Sequence, residues 1–318
     1  MSNFTFGPLS LTIAKVQTTA SLAEIAAIIS NKRPSHAGLV SGWGSVLDDL
    51  DPLGNFGPPP TVGDPLIEPA TEVYPERLMA RFYFWTPDSG ARRSLSTGAD
   101  PSRAYRLRSC DLLVSRIDDD SCLIGVSSRT ADHLTTHIVP SLRSVFTGAD
   151  QNALLQMDSS PLDLLDADVF LWLVNRSASN PQLHAGLNMI HIREITSQDV
   201  LSRGANLSHG VDLSRRELLA LITNQTTRFG PAKIAVEYEA VNAYLDFELF
   251  IDGGFTLHAT PSRYAQPMGR EAKGMRAVPD LVYGVIPLLK AGYDADGSWD
   301  ATDRETFKAL CMSRLQGA

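Results

Sequence analysis

The stretch that decides the fold is Tyr244-Leu245-Asp246-Phe247-Glu248-Leu249-Phe250-Ile251, followed by Asp252-Gly253-Gly254 and then Phe255-Thr256-Leu257-His258-Ala259. Leu245, Phe247, Leu249 and Ile251 alternate with Tyr244, Asp246, Glu248 and Phe250, the two-residue period of a strand buried on one face. Asp-Gly between two such runs marks a hairpin, because glycine accepts the positive φ of a tight turn. An earlier stretch follows the same plan: residues 112–117, the acidic turn Asp118-Asp119-Asp120, and residues 122–126. The echo predicts an α+β chain of two pseudo-repeated halves, each an antiparallel sheet with a helix.

Working outward, Leu9, Leu11 and Ile13 alternate with polar or small residues and predict an opening strand. Ser21-Leu22-Ala23-Glu24 has capping-box spacing and leads into the stripe Leu22, Ile25, Ile28, Ile29, so a helix follows. Seven prolines and three glycines across residues 51–75 predict a long proline-rich surface loop. Residues 81–86 read as a strand and 87–90 as a turn. Leu134, Ile138, Leu142 and Val145 predict a helix that Pro140 kinks. The β-branched and aromatic run 169–174 predicts a buried strand, and 233–241 begins a second sheet block. Ser214-Arg215-Arg216-Glu217 and Thr302-Asp303-Arg304-Glu305 repeat the capping-box spacing; the first opens a short helix, the second a terminal one carrying Phe307, Leu310 and Cys311. The expected organisation is an N-terminal strand–helix element (1–50), the loop (51–75), a first α+β half (76–230) and a second (231–318).

Composition sets the class. Of 318 residues, 43% are apolar and 20% charged, as in folded globular proteins. No apolar run reaches the roughly 20 residues of a membrane helix, and Met1-Ser2-Asn3-Phe4 has no basic segment before an apolar run, so a cytoplasmic protein without membrane contact is expected. Cys110, Cys122 and Cys311 fit no metal-ligand spacing and read as buried thiols of a reducing compartment. A net charge of −8 argues against wholesale coating of nucleic acid, while a local basic surface is compatible with it.

Few residues carry recognisable chemistry. His133 and His137 have the four-residue spacing of a zinc-holding helix, but the intervening Leu-Thr-Thr lacks the glutamate base, leaving two histidines on a helix face. Asp294, Asp296, Ser298, Asp300, Thr302 and Glu305 fall where an EF-hand loop places oxygen ligands, although Trp299 stands where its glycine belongs. Asp246 and Glu248 share a strand face and offer a carboxylate pair for a metal-dependent nuclease or hydrolase, though no lysine follows them. Phosphate loops, nucleophile elbows and dinucleotide fingerprints are missing from the sequence, and no cofactor is expected. Positive charge concentrates in three places: Arg263, Arg270, Lys273 and Arg276 on an expected flexible loop over 262–276; Arg92 with Arg93; and Arg103, Arg106 and Arg108. Guanidinium forks match phosphate oxygens, which makes these candidate nucleic-acid contacts.

The repeated strand–acidic turn–strand plan with its following helix resembles the pseudo-symmetric folds of the recombination-associated protein RdgC and the centromere proteins CENP-L and CENP-N. It rests on residues 112–146, where Cys122-Leu123-Ile124-Gly125-Val126-Ser127-Ser128 enters a helix, and on 233–259 with its Asp252-Gly253-Gly254 turn. The resemblance implies a non-catalytic DNA-associated protein that dimerises or joins a larger assembly. The expected function is therefore a DNA-associated or scaffold subunit, with DNA and a protein partner or second copy as partners. The nuclease or hydrolase and a purely protein-binding adaptor are the alternatives.

Overall fold

The structure, a computed structural model, describes residues 9–48, 62–95, 100–199, 204–224 and 226–317. The chain divides into two units, Met1–Pro161 and Leu162–Ala318. Both are α+β with antiparallel sheets.

In the first unit β1 (Leu9–Gln17) leads to α1 (Leu22–Ser30), whose start is a complete capping box: Ser21 Oγ accepts from Glu24 N, and Glu24 Oε2 accepts from Ser21 N at 2.8 Å. Two short strands, β2 (Gly42–Gly44) and β3 (Leu66–Glu68), pair with β4 (Arg77–Pro87). Residues 51–61 lie outside the described residues, and β3 shows that the remainder of the expected proline-rich loop is partly strand. After β4 comes α2 (Ser89–Ser94) rather than a plain turn, because the Asp88 carboxylate accepts from the N–H groups of Gly90 and Ala91. The expected hairpin is β5 (Tyr105–Asp118) and β6 (Ser121–Val126); β5 pairs β4, β6 pairs β1, and β7 (Leu154–Gln156) flanks β1.

A continuous helix, α3 (131–149), follows β6 and winds as a π turn over Leu134–Ile138. Pro140 sits just beyond it; it has no N–H to donate, and the wider turn accommodates its ring without breaking the helix. Ile138, Leu142, Val145 and Phe146 of α3 pack with Ile25 and Ile29 of α1 onto Phe82, Phe84, Leu112 and Ile124 of the sheet. Each such side chain stabilises the unit by about 1.5–3 kcal/mol on burial.

The second unit opens with α4 (Asp168–Ser179). Its first half is the run 169–174 that the sequence reading assigns to a strand. All six side chains are buried, so the run is apolar all round and has no period to reveal its state. Then come β8 (Gln182–His184), β9 (Leu187–Gln198), β10 (Gly204–Leu207), α5 (Arg216–Thr223), β11 (Arg228–Tyr238), β12 (Ala243–Leu249), β13 (Phe255–Leu257) and β14 (Arg263–Tyr264). The strands lie in the order β10-β9-β11-β12-β13, with β8 on β9 and β14 on β12. The expected boundary at 230/231 thus falls inside β11, which is paired on both sides.

The Asp252-Gly253-Gly254 turn is as its sequence requires: Gly253 has φ +70°, and a Cβ there would lie 2.2 Å from the Leu162 carbonyl oxygen. Two long helices complete the unit, α6 (270–294), with a π turn over Leu281–Val285, and α7 (299–317), which begins with another. Neither later capping box forms. Ser214 turns to the Asp212 carboxylate and leaves Arg215 as an N-cap with no side-chain bond, while Thr302 lies inside α7.

Candidate functional site

Five of the arginines singled out in the sequence stand on adjoining elements at one end of the first unit. Arg92 and Arg93 stand on α2, Arg103 on the 3-10 turn Pro101–Ala104 packed against it, and Arg106 and Arg108 on the start of β5. The register explains the gathering: Arg106 lies opposite Thr86 and Arg108 opposite Phe84, so the end of β4 and the start of β5 deliver both sets together. Arg106 is paired with Asp88, and Arg93 donates to the Ser89 carbonyl. Backbone N–H bonds, chiefly from Ala91, hold the Asp88 carboxyl below the usual carboxylate range, with Arg106 adding to the effect. Asp88 and Asp100 are the only acids between residues 88 and 108.

Beside this end lies a cavity of about 400 Å³ where β6 runs into α3. It is lined by Ser10 on β1, by Ser109 on β5, whose side chain alternates to the face opposite Cys110, and by Ser127, Ser128 and Thr130 in the strand–helix connection. Phe84 and Cys110 form apolar wall, and Arg129 and His133 also line it. Burial pushes the Cys110 thiol well up, so it stays protonated and acts as a small hydrophobe. Arg129 donates to the Leu11 carbonyl at 3.2 Å, and the Ser127 hydroxyl accepts from Asp111 N at 2.6 Å. His133 meets Phe84 edge-on and His137 stacks on the same ring with centroids 4.9 Å apart. Burial lowers both histidines below the ordinary imidazole value; Arg108 lowers His133 further, and Asp132 works against both shifts. The pair is thus held on an aromatic ring, not in metal-ligand geometry. The sequence reading leaves them as two histidines on a helix face, without the aromatic ring that holds both. It missed the hydroxyls, whose signal is the run Ser127-Ser128-Arg129-Thr130 between a strand and a helix.

Asp246 is the other notable residue, and it is not the solvated carboxylate its strand position suggests. Its side chain is 1% exposed; Oδ1 lies 2.7 Å from His258 Nδ1 and Oδ2 lies 2.5 Å from Arg193 Nη2. His258 stands opposite Asp246 in the hairpin, one step beyond the Phe247–Leu257 pair. Arg193 is the extra residue of a β-bulge in β9, between the Lys233–Glu194 and Ile234–Ile192 pairs. The bulge aims both Arg193 and Glu194 at the polar face, where Glu194 takes Lys233 at 2.7 Å. Ala235 of β11, next to Asp246 in register, presents only a methyl group, which leaves room for the arginine to cross. With both oxygens engaged by Arg193 and His258, Asp246 forms no paired metal-binding carboxylate with Glu248. The first unit has a similar pair: Arg81 and Asp111, opposite each other on β4 and β5, join at 2.6 Å with both residues buried.

The remaining sequence candidates are dispersed. The expected loop 262–276 is a loop only over 265–269, between β14 and the start of α6. Arg263 lies over the Tyr244 ring at 5.7 Å and Arg276 over the Tyr264 ring at 4.6 Å; Lys273 is on α6 and the Arg270 side chain lies outside the described residues. The expected calcium loop is mostly helix. Asp296 accepts from Trp172 Nε1 at 2.8 Å and Arg176 Nη2 at 2.6 Å, Ser298 donates to Asp296 and Asp303, and Trp299 is core. Asp294 ends α6, and Asp300 and Glu305 lie in α7. Among the described residues no group of three or more His, Cys, Asp or Glu can hold a metal ion, and no helix is long and apolar enough to cross a membrane.

No protein-family model and no curated protein matches the chain. Among solved structures it is similar to the di-domain ARO/CYC StfQ from the steffimycin biosynthetic pathway, at 10% identity over 97% of this chain and 99% of that one, with a TM-score of 0.19. A likeness of that size carries no argument about fold or function.

Proposed function

We propose that the chain is a non-catalytic, phosphate-binding module for nucleic acid, with the arginine-bearing end of the first unit as its contact surface. The observation that carries this reading is the gathering of Arg92, Arg93, Arg103, Arg106 and Arg108 from α2, the neighbouring 3-10 turn and β5. Guanidinium groups on adjoining short elements can engage successive phosphates, and such contacts position a backbone without reading its sequence. The overall charge of −8 limits binding to this local surface and lets the remainder of the chain repel the polymer. Cytoplasmic location, and assembly with another protein or a second copy, belong to the same proposal.

We also infer that the two units are diverged copies of one plan, as the resemblance to RdgC and the centromere proteins implies. Three correspondences support it. Each unit has a hairpin with a buried aspartate, Asp111 or Asp246, held by an arginine of the same sheet. In each, the residue across the hairpin, Ser127 or His258, donates its backbone N–H to the carbonyl of that aspartate, at 2.9 and 2.8 Å. Each hairpin precedes a helix in which a π turn is followed by a β-branched residue and proline, Val139-Pro140 or Ile286-Pro287.

A mobility-shift series with single-stranded and duplex DNA and RNA tests the function. Complexes are expected at low salt that dissolve between about 50 and 200 mM. No complex with any of the four polymers at low salt overturns the reading.

A further inference from the structure

We propose that the cavity between β6 and α3 receives a terminal phosphate monoester, so that the chain prefers a phosphorylated strand end to an internal stretch of backbone. The inference rests on the nucleic-acid reading for its polymer and on the cavity alone for its phosphate.

Size comes first. About 400 Å³ is near the low end of small-ligand sites, enough for a phosphate and the sugar that bears it. Lining chemistry comes next. Ser128 and Thr130 with their hydroxyl side chains, Arg129 and His133 line the space, and among the described residues no carboxylate-bearing residue does. A phosphate monoester presents three terminal oxygens to such a set, and bonds to a charged acceptor are the strong ones. An internal diester has only two, carries half the charge, and must thread a chain through both sides of the opening. A carboxylate or a neutral sugar would leave more of these donors unmatched. The acid nearest His133 is Asp132, whose Oδ1 accepts from Thr136 at 3.2 Å.

Position is the third observation. Arg108 lies opposite Phe84, whose ring meets His133, and Phe84 lines the cavity with the residues that follow Arg108 on β5, so the cavity adjoins the arginine-bearing end and a strand held there can place its last phosphate inside. Burial of the ring and, after it, Arg108 hold His133 below the ordinary imidazole value. A dianion entering beside the ring favours its protonated form, so binding takes up a proton.

The test measures fluorescence anisotropy with one oligonucleotide sequence carrying a 5′-phosphate, a 3′-phosphate or hydroxyl ends. One phosphorylated end is expected to bind about tenfold more tightly than the hydroxyl form, the gain of one charged hydrogen bond. Thr130→Val with His133→Gln should remove that preference and leave hydroxyl-end binding unchanged, while Arg92→Ala with Arg93→Ala should weaken all three probes alike. Equal affinity for the three probes, with binding intact, overturns the cavity inference and leaves the proposed function standing. In parallel, methyl phosphate is titrated while the His133 ring protons are followed by NMR. A shift with raised ring pKa is expected, and unmoved resonances overturn the inference whether or not any oligonucleotide binds. Methyl phosphate binding without oligonucleotide binding keeps the phosphate site and overturns the nucleic-acid reading.

Discussion

At the scale of single residues, Asp246 shows what burial does to a candidate site. A carboxylate taken out of water costs several kcal/mol unless it is paired and hydrogen-bonded, and here Arg193 and His258 supply both. Arg193→Ala leaves the carboxylate short of its cation, with an expected loss of about 2–3 kcal/mol, reduced from the fully buried case because the arginine is itself 44% exposed. Glu248→Ala, on the same strand, should stay within about 0.5 kcal/mol. Urea midpoints at constant m compare the two. Equal losses would show that the Asp246 cluster has no special role in stability. The strand was legible because its apolar residues alternate; the cluster was not, because the bulge that places Arg193 depends on a partner strand some 40 residues away. His133 and His137 add a pH dependence. Their folded values lie below the unfolded one near 6.5, so this stability is complete above about pH 6.5 and is lost as pH falls toward the folded values. Thermal midpoints should fall between about pH 7 and 5, and the fall should shrink in the His133→Gln, His137→Gln double variant. An identical fall in the double variant would place the titrating groups elsewhere.

At the scale of elements, three sequences with the same capping spacing had different outcomes. Ser21 is satisfied by Glu24, Ser214 by Asp212 two residues before it, and Thr302 by the turn already wound ahead of it. Ser21→Ala should therefore cost about 1 kcal/mol of stability. Ser214→Ala should cost less helix stability, since α5 has no side-chain cap to lose. A larger loss for Ser214→Ala would show that it does cap α5. Spacing reads a cap's possibility; the residue two places earlier decides whether it forms. The same limit explains α4, where an apolar run buried all round gave no period to read. Turns with strict backbone demands were legible. Gly253→Ala, combining a positive φ with a clash against Leu162, is expected to destabilise by roughly 2–4 kcal/mol, checked by thermal unfolding. A neutral outcome would mean the turn is not held as described.

At the scale of the whole molecule, the division at Pro161 and Leu162 was illegible because β11 joins β9 to β12, and β9 hides its strand period. Two bulges put Met189, Ile192 and Ile195 inside at three-residue steps, a helix-like spacing. The arginine clusters were visible in the sequence, but only the β4–β5 register and the packing of α2 on the neighbouring 3-10 turn bring their elements to one end, while Arg263 and Arg276 lie on tyrosine rings elsewhere. The most direct measurement is the salt dependence of nucleic-acid affinity for the native chain and for Arg92→Ala, Arg93→Ala, Arg103→Ala combined, leaving Arg106 with Asp88. With the first unit's arginines on phosphates, the log–log slope flattens by roughly one unit for each phosphate no longer neutralised, and affinity falls for single strands and duplexes alike. Unchanged affinity and an unchanged slope in the triple variant would contradict that surface.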